Sequence, residues 1–241
     1  TKKQVVNPLG HTITTELDPR RGQPLKLTDA NARVTSAVYD ALGRVTKVWK
    51  PTRSATAYPD SPSRTFAYQI RNDGPVVVTT TALNHNGVYQ PSYTFYDGLM
   101  RELETQDPSP DDAGRLVTET SYDSRGQVWH SSGVYYTDGA AEPVPVTGQE
   151  LKYPSATETV FDGAGRVTAM IAKKFGEETK RTTVAYTGDT TTVIPPTGGT
   201  TTTKLTDALG RTVELKQYTD AGRTMSQSTK YTYDKAGRLK Q

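Results

Sequence analysis

The residues that could carry chemistry are scattered, and their spacing matches no catalytic or metal-binding pattern. The three histidines, His11, His85 and His130, lie in different stretches, and none stands at the separation typical of metal ligands. The chain has no cysteine, which excludes disulfides and thiolate ligands. No nucleophile elbow, phosphate-binding glycine loop or EF-hand pattern occurs. We therefore predict a protein that is not an enzyme and needs no cofactor or metal.

Two arrangements of carboxylates keep other chemistry open. Asp107, Asp111 and Asp112 lie close together, as calcium ligands do, although their proline-rich spacing fits no known calcium loop. Two distant carboxylates could also face each other across a sheet, as in glycoside hydrolases. Nothing in the sequence marks such a pair. An enzyme is therefore the last of three functional hypotheses, after the two that close this subsection.

Charge and hydropathy exclude two classes of partner. The net charge is +3, but the basic residues are dispersed along the chain rather than gathered as a nucleic-acid footprint requires. No apolar run reaches the length of about 18 residues that a membrane span needs. We predict neither nucleic-acid binding nor a membrane span.

The carboxylates that do recur belong to a repeated motif: an aromatic residue, Asp, two variable residues, Gly, Arg and an aliphatic residue. Its five best copies contain Tyr39, Asp40, Gly43 and Arg44; Tyr122, Asp123 and Gly126; Phe161, Asp162, Gly165 and Arg166; Asp207, Gly210 and Arg211; and Tyr233, Asp234, Gly237 and Arg238. Looser copies are Asp29–Arg33, Asp97–Arg101, Asp111–Arg115 and Asp220–Arg223, the last of which reads as one residue short. Such internal repetition indicates a repeat architecture.

The motif has the chemistry of a tight hairpin turn. Its Asp can accept a hydrogen bond from the backbone N–H two residues later, and its Gly can take the left-handed conformation that closes a type I turn with a bulge. The aromatic residue then ends one strand and the residue after Arg begins the next. We expect the aromatic ring and the Arg of one copy to meet across this hairpin as a cation–π pair.

The spacing of the motifs predicts an all-β fold. Asp29 and Asp40 are eleven residues apart, which leaves room for one strand and one turn. The hydrophobic fraction of only 33% suits half-buried strands better than helices around a thick core. We predict an antiparallel meander of hairpins that forms a curved sheet, continuous as one domain over residues 1–241. Within it, the charge pattern of residues 173–178 would suit a helix, but the strand-like residues that follow favour a hairpin there. Residues 139–148 are expected to form an exposed loop.

The motif resembles the signature of the rearrangement-hotspot (Rhs) or YD-repeat family, and the resemblance covers essentially the whole chain. It implies a long sheet that coils into a hollow shell in bacterial polymorphic toxins and insecticidal toxin complexes, and a related barrel in the teneurins. In those toxins the shell encloses a C-terminal effector, released by a self-cleaving aspartyl site at Asp-Pro-x-Gly sequences. Asp18-Pro19 and Asp107-Pro108 lack a Gly at that place, so no cleavage residues are assigned.

The leading functional hypothesis is a structural shell segment of a secreted or cell-surface bacterial protein. Its partners are neighbouring repeats of the same polypeptide and an enclosed C-terminal toxin domain. The start without Met and the end just after a strand-opening Arg suggest a piece of a longer chain, whose terminal strands are open edges that favour self-association.

The alternative hypothesis is an adhesion module that binds a cell-surface glycan or a protein. Its stacking aromatic residues, expected to be exposed, are Trp49, Tyr89, Trp129, Tyr135 and Tyr136. Packing across neighbouring strands is the competing explanation for these residues.

Overall fold

The computed structural model describes residues 1–110 and 113–240. These residues form 19 β-strands and one 3-10 helix, Glu150–Lys152, and contain no α-helix. The strands are β1 Lys2–Val6, β2 Thr12–Leu17, β3 Pro24–Thr28, β4 Val34–Tyr39, β5 Val45–Trp49, β6 Arg64–Gln69, β7 Val76–Leu83, β8 Tyr89–Tyr96, β9 Glu102–Pro108, β10 Arg115–Tyr122, β11 Val128–Ser132, β12 Tyr135–Thr137, β13 Ala156–Phe161, β14 Val167–Lys174, β15 Glu177–Thr187, β16 Thr190–Ile194, β17 Thr202–Thr206, β18 Thr212–Tyr218 and β19 Ser226–Lys230. The predicted all-β class is confirmed.

The chain divides into two compact units. Unit 1 comprises Thr1–Val117 and Tyr136–Val146, and unit 2 comprises Thr118–Tyr135 and Thr147–Gln241. In unit 1, the nine strands β1 to β9 pair antiparallel in sequence order, from β1 with β2 to β8 with β9. In unit 2, β11 pairs with β10 and with β13, and β13 to β19 again pair in sequence. The predicted antiparallel hairpin array is confirmed.

Sequential antiparallel pairing puts every second turn at the same edge of the sheet. We call this the motif edge; it carries the turns at Asp18, Asp40 and Asp97 in unit 1, and the turns at Asp123, Asp162, Asp207 and Asp234 in unit 2. The opposite edge of each unit carries other turns, among them those at Asn7, Asp29 and Asn84 in unit 1 and at Asp220 in unit 2. All five best copies of the motif therefore lie at a motif edge.

A loop and a row of apolar side chains form the core of unit 1. Val77 on β7 lies opposite Phe95 on β8, and both are fully buried. Trp49 is also buried, and its indole N–H donates to the Tyr58 carbonyl in the loop of residues 50–63 at 2.7 Å. The loop thus covers one face of a sheet that could not bury its apolar residues alone.

Unit 2 buries one face in a similar way. Ala169 and Ile171 on β14 are buried, as are Tyr135 and Tyr153, whose ring centroids lie 5.0 Å apart. Hydroxyl-bearing rings in a core need a polar partner. The Tyr135 hydroxyl donates to Glu119.

Two local predictions have different outcomes. Strands β14 and β15 meet in a tight turn in which Phe175 and Gly176 have φ values of 51° and 82°, so residues 173–178 are a hairpin. The prediction that residues 139–148 form an exposed loop is wrong at Val146. That residue is buried, and its N–H donates to the buried carboxylate of Glu104, which holds this part of the segment against the sheet.

Among the described residues, no helix is long and apolar enough to span a membrane.

Candidate functional site

The motif turn satisfies its own backbone groups with one carboxylate. At Asp40 the Oδ1 atom accepts the N–H groups of Leu42 and Arg44, both at 2.9 Å. The Oδ2 atom accepts the Arg44 Nε–H at 2.7 Å. Gly43 has a φ of +84° and donates its N–H to the Asp40 carbonyl at 3.0 Å. The turn is therefore held closed by hydrogen bonds among its own residues.

The same geometry recurs at eight further turns that an acidic or amide residue opens. An oxygen of the first side chain accepts the N–H groups two and four residues later at Asn7, Asp29, Asn84, Asp97, Asp123, Asp162, Asp207 and Asp234. Asn serves as well as Asp because the bond needs only the side-chain oxygen.

Three residues that are not glycine occupy the left-handed position of the turn. Ala32, Met100 and Arg223 have φ values of 59°, 60° and 59°. The reading of Asp220–Arg223 as one residue short is therefore wrong. Arg223, rather than Gly222, takes the left-handed position, and Thr224 takes the position that Arg fills elsewhere, with its N–H bound to Asp220.

Replacing Met100 with glycine should stabilise unit 1 by about 1 kcal/mol, because an L side chain is strained in this conformation. Chemical denaturation measures the gain. Leu99→Gly, one position earlier in the same turn, is the control and should give no gain, because the φ of Leu99 is not positive. An unchanged or lower free energy of unfolding for Met100→Gly would contradict the prediction.

The turn carboxylates should make the fold sensitive to acid. The N–H of Arg44 lowers the pKa of Asp40, as the N–H of Arg166 lowers the pKa of Asp162, and each arginine guanidinium adds to the effect. The pKa is lowered in the same direction at Asp97, Asp123, Asp207, Asp220 and Asp234. A carboxyl with a lower pKa in the folded state contributes stability above its unfolded pKa of about 3.9 and loses it as pH falls through the folded value.

We expect the denaturation midpoint to change little above about pH 5 and to fall as the pH is lowered from about 5 to about 2. Asp162→Asn should flatten part of this fall in unit 2, because the amide keeps the backbone hydrogen bonds but does not titrate. A midpoint independent of pH in this range would refute the prediction.

At three motif turns the arginine contacts an aromatic ring of the following strand. The Arg44 guanidinium lies 4.5 Å from the ring centroid of Tyr68 on β6, and the Tyr68 hydroxyl donates to the Val45 carbonyl at 2.9 Å. The same pair of contacts joins Arg166 to Tyr186 at 4.3 Å, with the hydroxyl on Val167, and Arg211 to Tyr233 at 4.6 Å, with the hydroxyl on Thr212. The expected pairing of ring and Arg within one copy is wrong. The Arg is held by its own Asp, and the ring opposite it belongs to the following strand.

Where Gln replaces the Arg, the connection is made through the backbone. The Gln23 Nε2–H donates to the Gly43 carbonyl at 2.5 Å, and the Gln127 Nε2–H donates to the Gly165 carbonyl at 2.8 Å. The Tyr39 hydroxyl still donates to the residue after the Gln, Pro24, at 2.9 Å. In each unit, one motif turn is therefore linked by a glutamine side chain to the next motif turn.

A buried polar cluster fixes residues 140–146 to the sheet of unit 1. Glu104 and Gln106 on β9 are 4% and 0% exposed. The Glu104 carboxylate accepts the Val146 N–H at 3.1 and 3.0 Å and the Gln106 Nε2–H at 2.6 Å. The Gln106 amide also donates to the Val144 carbonyl at 2.8 Å. These carboxylate oxygens face protein donors, so they hold a loop and are not placed to meet a substrate.

Arg115 completes the cluster. Its Nη1 donates to the Gln106 Oε1 at 3.0 Å and to the Glu142 carboxylate at 3.0 Å. Nothing in the sequence marked this cluster, because its members lie as far as 42 residues apart.

The structure places the aromatic residues predicted to stack on a ligand in different environments. Trp49 and Tyr135 are 5% and 2% exposed, so the prediction that they are exposed is wrong; each packs in the core of its unit and uses its polar group there. Tyr89 is half-buried, and its hydroxyl donates to the Pro62 carbonyl at 2.6 Å. Trp129 and Tyr136 are 41% and 43% exposed and lie in different units.

The histidines and acidic residues form no metal site within residues 1–110 and 113–240. The His11 ring hydrogen-bonds Asn7 at 3.2 Å, His85 is exposed, and His130 is buried beside Tyr153. Asp111 and Asp112, considered above as calcium ligands and as the start of a motif copy, lie outside the described residues.

Comparison with known proteins identifies the fold. No protein-family model and no curated protein sequence matches the chain. The crystal structure of TcdB2–TccC3 matches with a TM-score of 0.69 and 19% identity, over 99% of this chain and 14% of that one. The Photorhabdus luminescens Tc holotoxin pore matches with a TM-score of 0.71 and 17% identity, over 99% of this chain and 17% of that one.

The chain thus spans less than a fifth of the length of either match. At these identities the likeness concerns the fold. It agrees with the fold implied by the Rhs resemblance, and that expectation is confirmed: the chain has the fold of a segment of the TcdB2–TccC3 and Tc holotoxin proteins.

Proposed function

We propose that the chain is a structural, non-catalytic segment of a Rhs-type shell that encloses a C-terminal effector domain, in a protein secreted by a bacterium or held at its surface. In this proposal residues 1–241 act as one continuous repeat array. The observation that carries it is the contact between a motif turn and the strand of the next repeat, which recurs at Arg44, Arg166 and Arg211. Repeat proteins are stabilised by such contacts between adjacent repeats, which allow the sheet to continue from one repeat to the next.

The hydrogen bonds that the carboxylates accept from neighbouring protein groups support a non-catalytic role. The motif Asp residues are held by backbone N–H groups and, at most turns, by an Arg, and Glu104 is held by Val146 and Gln106. Catalytic carboxylates need a free oxygen directed at a substrate. The fold similarity covers 99% of this chain and only a segment of two much longer proteins, which supports a role as one segment of a larger shell.

Limited proteolysis of the polypeptide that contains residues 1–241 and a C-terminal domain tests enclosure. We expect the C-terminal domain to survive protease when the repeats are present and to be degraded when they are deleted. A mixture of the separate domain and the separate repeat segment is the control, because protection by enclosure requires one assembled shell. Equal degradation with and without the repeats would refute the proposal.

Trp129 favours a second candidate, a glycan- or protein-binding module. Trp129 is 41% exposed although the ring of its neighbour His130, 5.5 Å away, is buried, so part of Trp129 can contact a ligand. A glycan array probed with the chain and with Trp129→Ala tests this candidate. Binding that is lost in the variant would favour the adhesion module, and Tyr136→Ala, in the other unit, serves as the matched control.

A further inference from the structure

One hairpin turn of unit 1 carries a side-chain amide that the turn does not use. Asn86 and Gly87 form the only Asn-Gly pair in the sequence, and they lie in the turn between β7 and β8, at the edge opposite the motif edge. Asn86 is exposed, and its side chain makes no hydrogen bond to any residue that the structure describes. Only its backbone N–H is engaged, on the Asn84 side-chain oxygen at 3.0 Å. The Asn86 amide can therefore rotate towards its own backbone.

The backbone nitrogen of Gly87 is well placed to react with that amide. In an Asn-Gly pair this nitrogen can attack the side-chain carbonyl carbon of the asparagine, because the glycine has no side chain to hinder the approach. The Gly87 N–H donates to the Asn84 carbonyl at 3.2 Å, whereas Gly43 and Gly165 make the equivalent bond at 3.0 Å. A Cβ built on Gly87 would meet no atom of the described chain within 4 Å. The attacking nitrogen is thus loosely held and unobstructed.

We propose that Asn86 is a site of spontaneous deamidation, at which water replaces the side-chain amine and leaves a mixture of aspartate and isoaspartate. The Gly87 nitrogen loses its proton to a solvent base and bonds to the Asn86 Cγ, and the amide nitrogen gains a proton and leaves as ammonia. Water then opens the cyclic imide at one of its two carbonyl carbons. Opening at Cγ gives aspartate, and opening at the main-chain carbonyl carbon gives isoaspartate. The reaction consumes one water and needs no oxidant, metal or enzyme.

The Asp-Gly pairs of the motif show how the fold suppresses the same reaction elsewhere. At Asp97–Gly98 the carboxylate accepts the N–H groups of Leu99 and Arg101 at 2.9 and 3.0 Å and the Arg101 Nε–H at 2.7 Å. The backbone N–H of Arg101 lowers the pKa of Asp97, so the carboxyl stays ionised and is a poor electrophile. Gly98 has the same open space as Gly87. The hydrogen bonding of the side chain, rather than exposure, therefore distinguishes the two pairs.

The isoaspartate product would disturb a turn on which the cover of unit 1 depends. It lengthens the backbone of the turn by one atom, although the Asn84 side-chain oxygen and the Asn84 N–H bind the N–H and the carbonyl of Val88, both at 2.9 Å. The next residue, Tyr89, donates its hydroxyl to the Pro62 carbonyl in the loop that covers the core. We therefore expect isoaspartate at position 86 to weaken both the turn and the attachment of this loop.

Storage of the intact chain at mildly alkaline pH, followed by peptide mapping with mass spectrometry, tests this inference. Isoaspartate is quantified by methyl transfer from S-adenosylmethionine with a purified isoaspartyl methyltransferase. We expect Asn86 to deamidate at least about tenfold faster than Asn84, whose amide must first release two hydrogen bonds. Isoaspartate formation at Asp97 should be slow in the folded chain and should rise at least about tenfold in denaturant, because unfolding releases the carboxylate.

Two variants connect the chemistry with its structural effect. Asn86→Ser keeps the backbone N–H that binds Asn84 but has no amide, so storage should not change its denaturation midpoint. The stored unaltered chain should have a lower midpoint than the fresh one. Freshly prepared Asn86→Asp should match the fresh chain, because aspartate keeps the normal length of the backbone.

Three results would overturn the inference. They are deamidation of Asn86 no faster than that of Asn84, isoaspartate that accumulates as fast at Asp97 of the folded chain as at Asn86, and a stored chain that contains isoaspartate at position 86 but keeps the midpoint of stored Asn86→Ser. None of these outcomes bears on enclosure, which the protease experiment tests.

Discussion

Replacing Glu104 with alanine should destabilise unit 1 by about 3 kcal/mol, because the change leaves buried donors without an acceptor. The Val146 N–H and one Gln106 N–H both point at this carboxylate, and Glu104 is only 4% exposed. Denaturation followed by tryptophan fluorescence in a Trp129→Phe background measures the effect, since the remaining Trp49 lies in the core of unit 1.

Two variants make this result specific. Glu104→Gln should have an intermediate effect, because its oxygen can still accept the Val146 N–H while its NH₂ group meets the NH₂ group of Gln106. Gln90→Ala on the exposed side of β8 should change the free energy of unfolding by less than about 0.5 kcal/mol. If Glu104→Ala were as mild as Gln90→Ala, residues 140–146 would not depend on this carboxylate.

Gly43→Val should destabilise unit 1 by about 2–3 kcal/mol. A β-branched residue is strained at a φ of +84°, and a Cβ there would lie 2.5 Å from the Gln23 Nε2 atom, which now donates to the Gly43 carbonyl. The variant should therefore lose both the relaxed turn and the link to the turn before it. The Trp49 fluorescence signal used for Glu104 measures this change as well.

Gly98→Ala is the matched control, because Gly98 lies in a motif turn of the same unit, has no positive φ and has open space at its Cβ. This change should be neutral or slightly stabilising, since alanine reduces the entropy of the unfolded chain. A Gly43→Val variant with an unchanged free energy of unfolding would contradict the turn assignment.

The sequence predicts the parts of this fold that depend on nearby residues. The turn at Asp40 could be predicted because Asp, Gly and Arg satisfy each other within five residues. The hairpin at Phe175 could be predicted because flanking β-branched residues favour strands over a helix.

Contacts set by strand register could not be predicted in the same way. The pairing of Arg44 with Tyr68 depends on the length of the intervening loop, which brings a tyrosine 24 positions later opposite the Arg. The burial of Trp49 depends on the fold of the loop over it, and the contact of Glu104 with Val146 depends on a segment that returns from far along the chain. The left-handed Arg223 was missed because glycine at the preceding position is the residue expected to adopt that conformation.

The contact between an arginine and the tyrosine of the following repeat also determines where two such repeat sequences can be recombined. The motif reads from tyrosine to arginine, but the side chains that touch run from an arginine to the next tyrosine, as from Arg166 to Tyr186 or from Arg211 to Tyr233. If two sequences were recombined between the Asp and the Gly of a motif turn, each of these arginines would stay in the same segment as its tyrosine. Hairpins cut at the opposite edge, for example at Phe175, would separate Arg166 from its ring. Chimaeras of these repeats should therefore tolerate crossovers inside the motif better than crossovers midway between motifs.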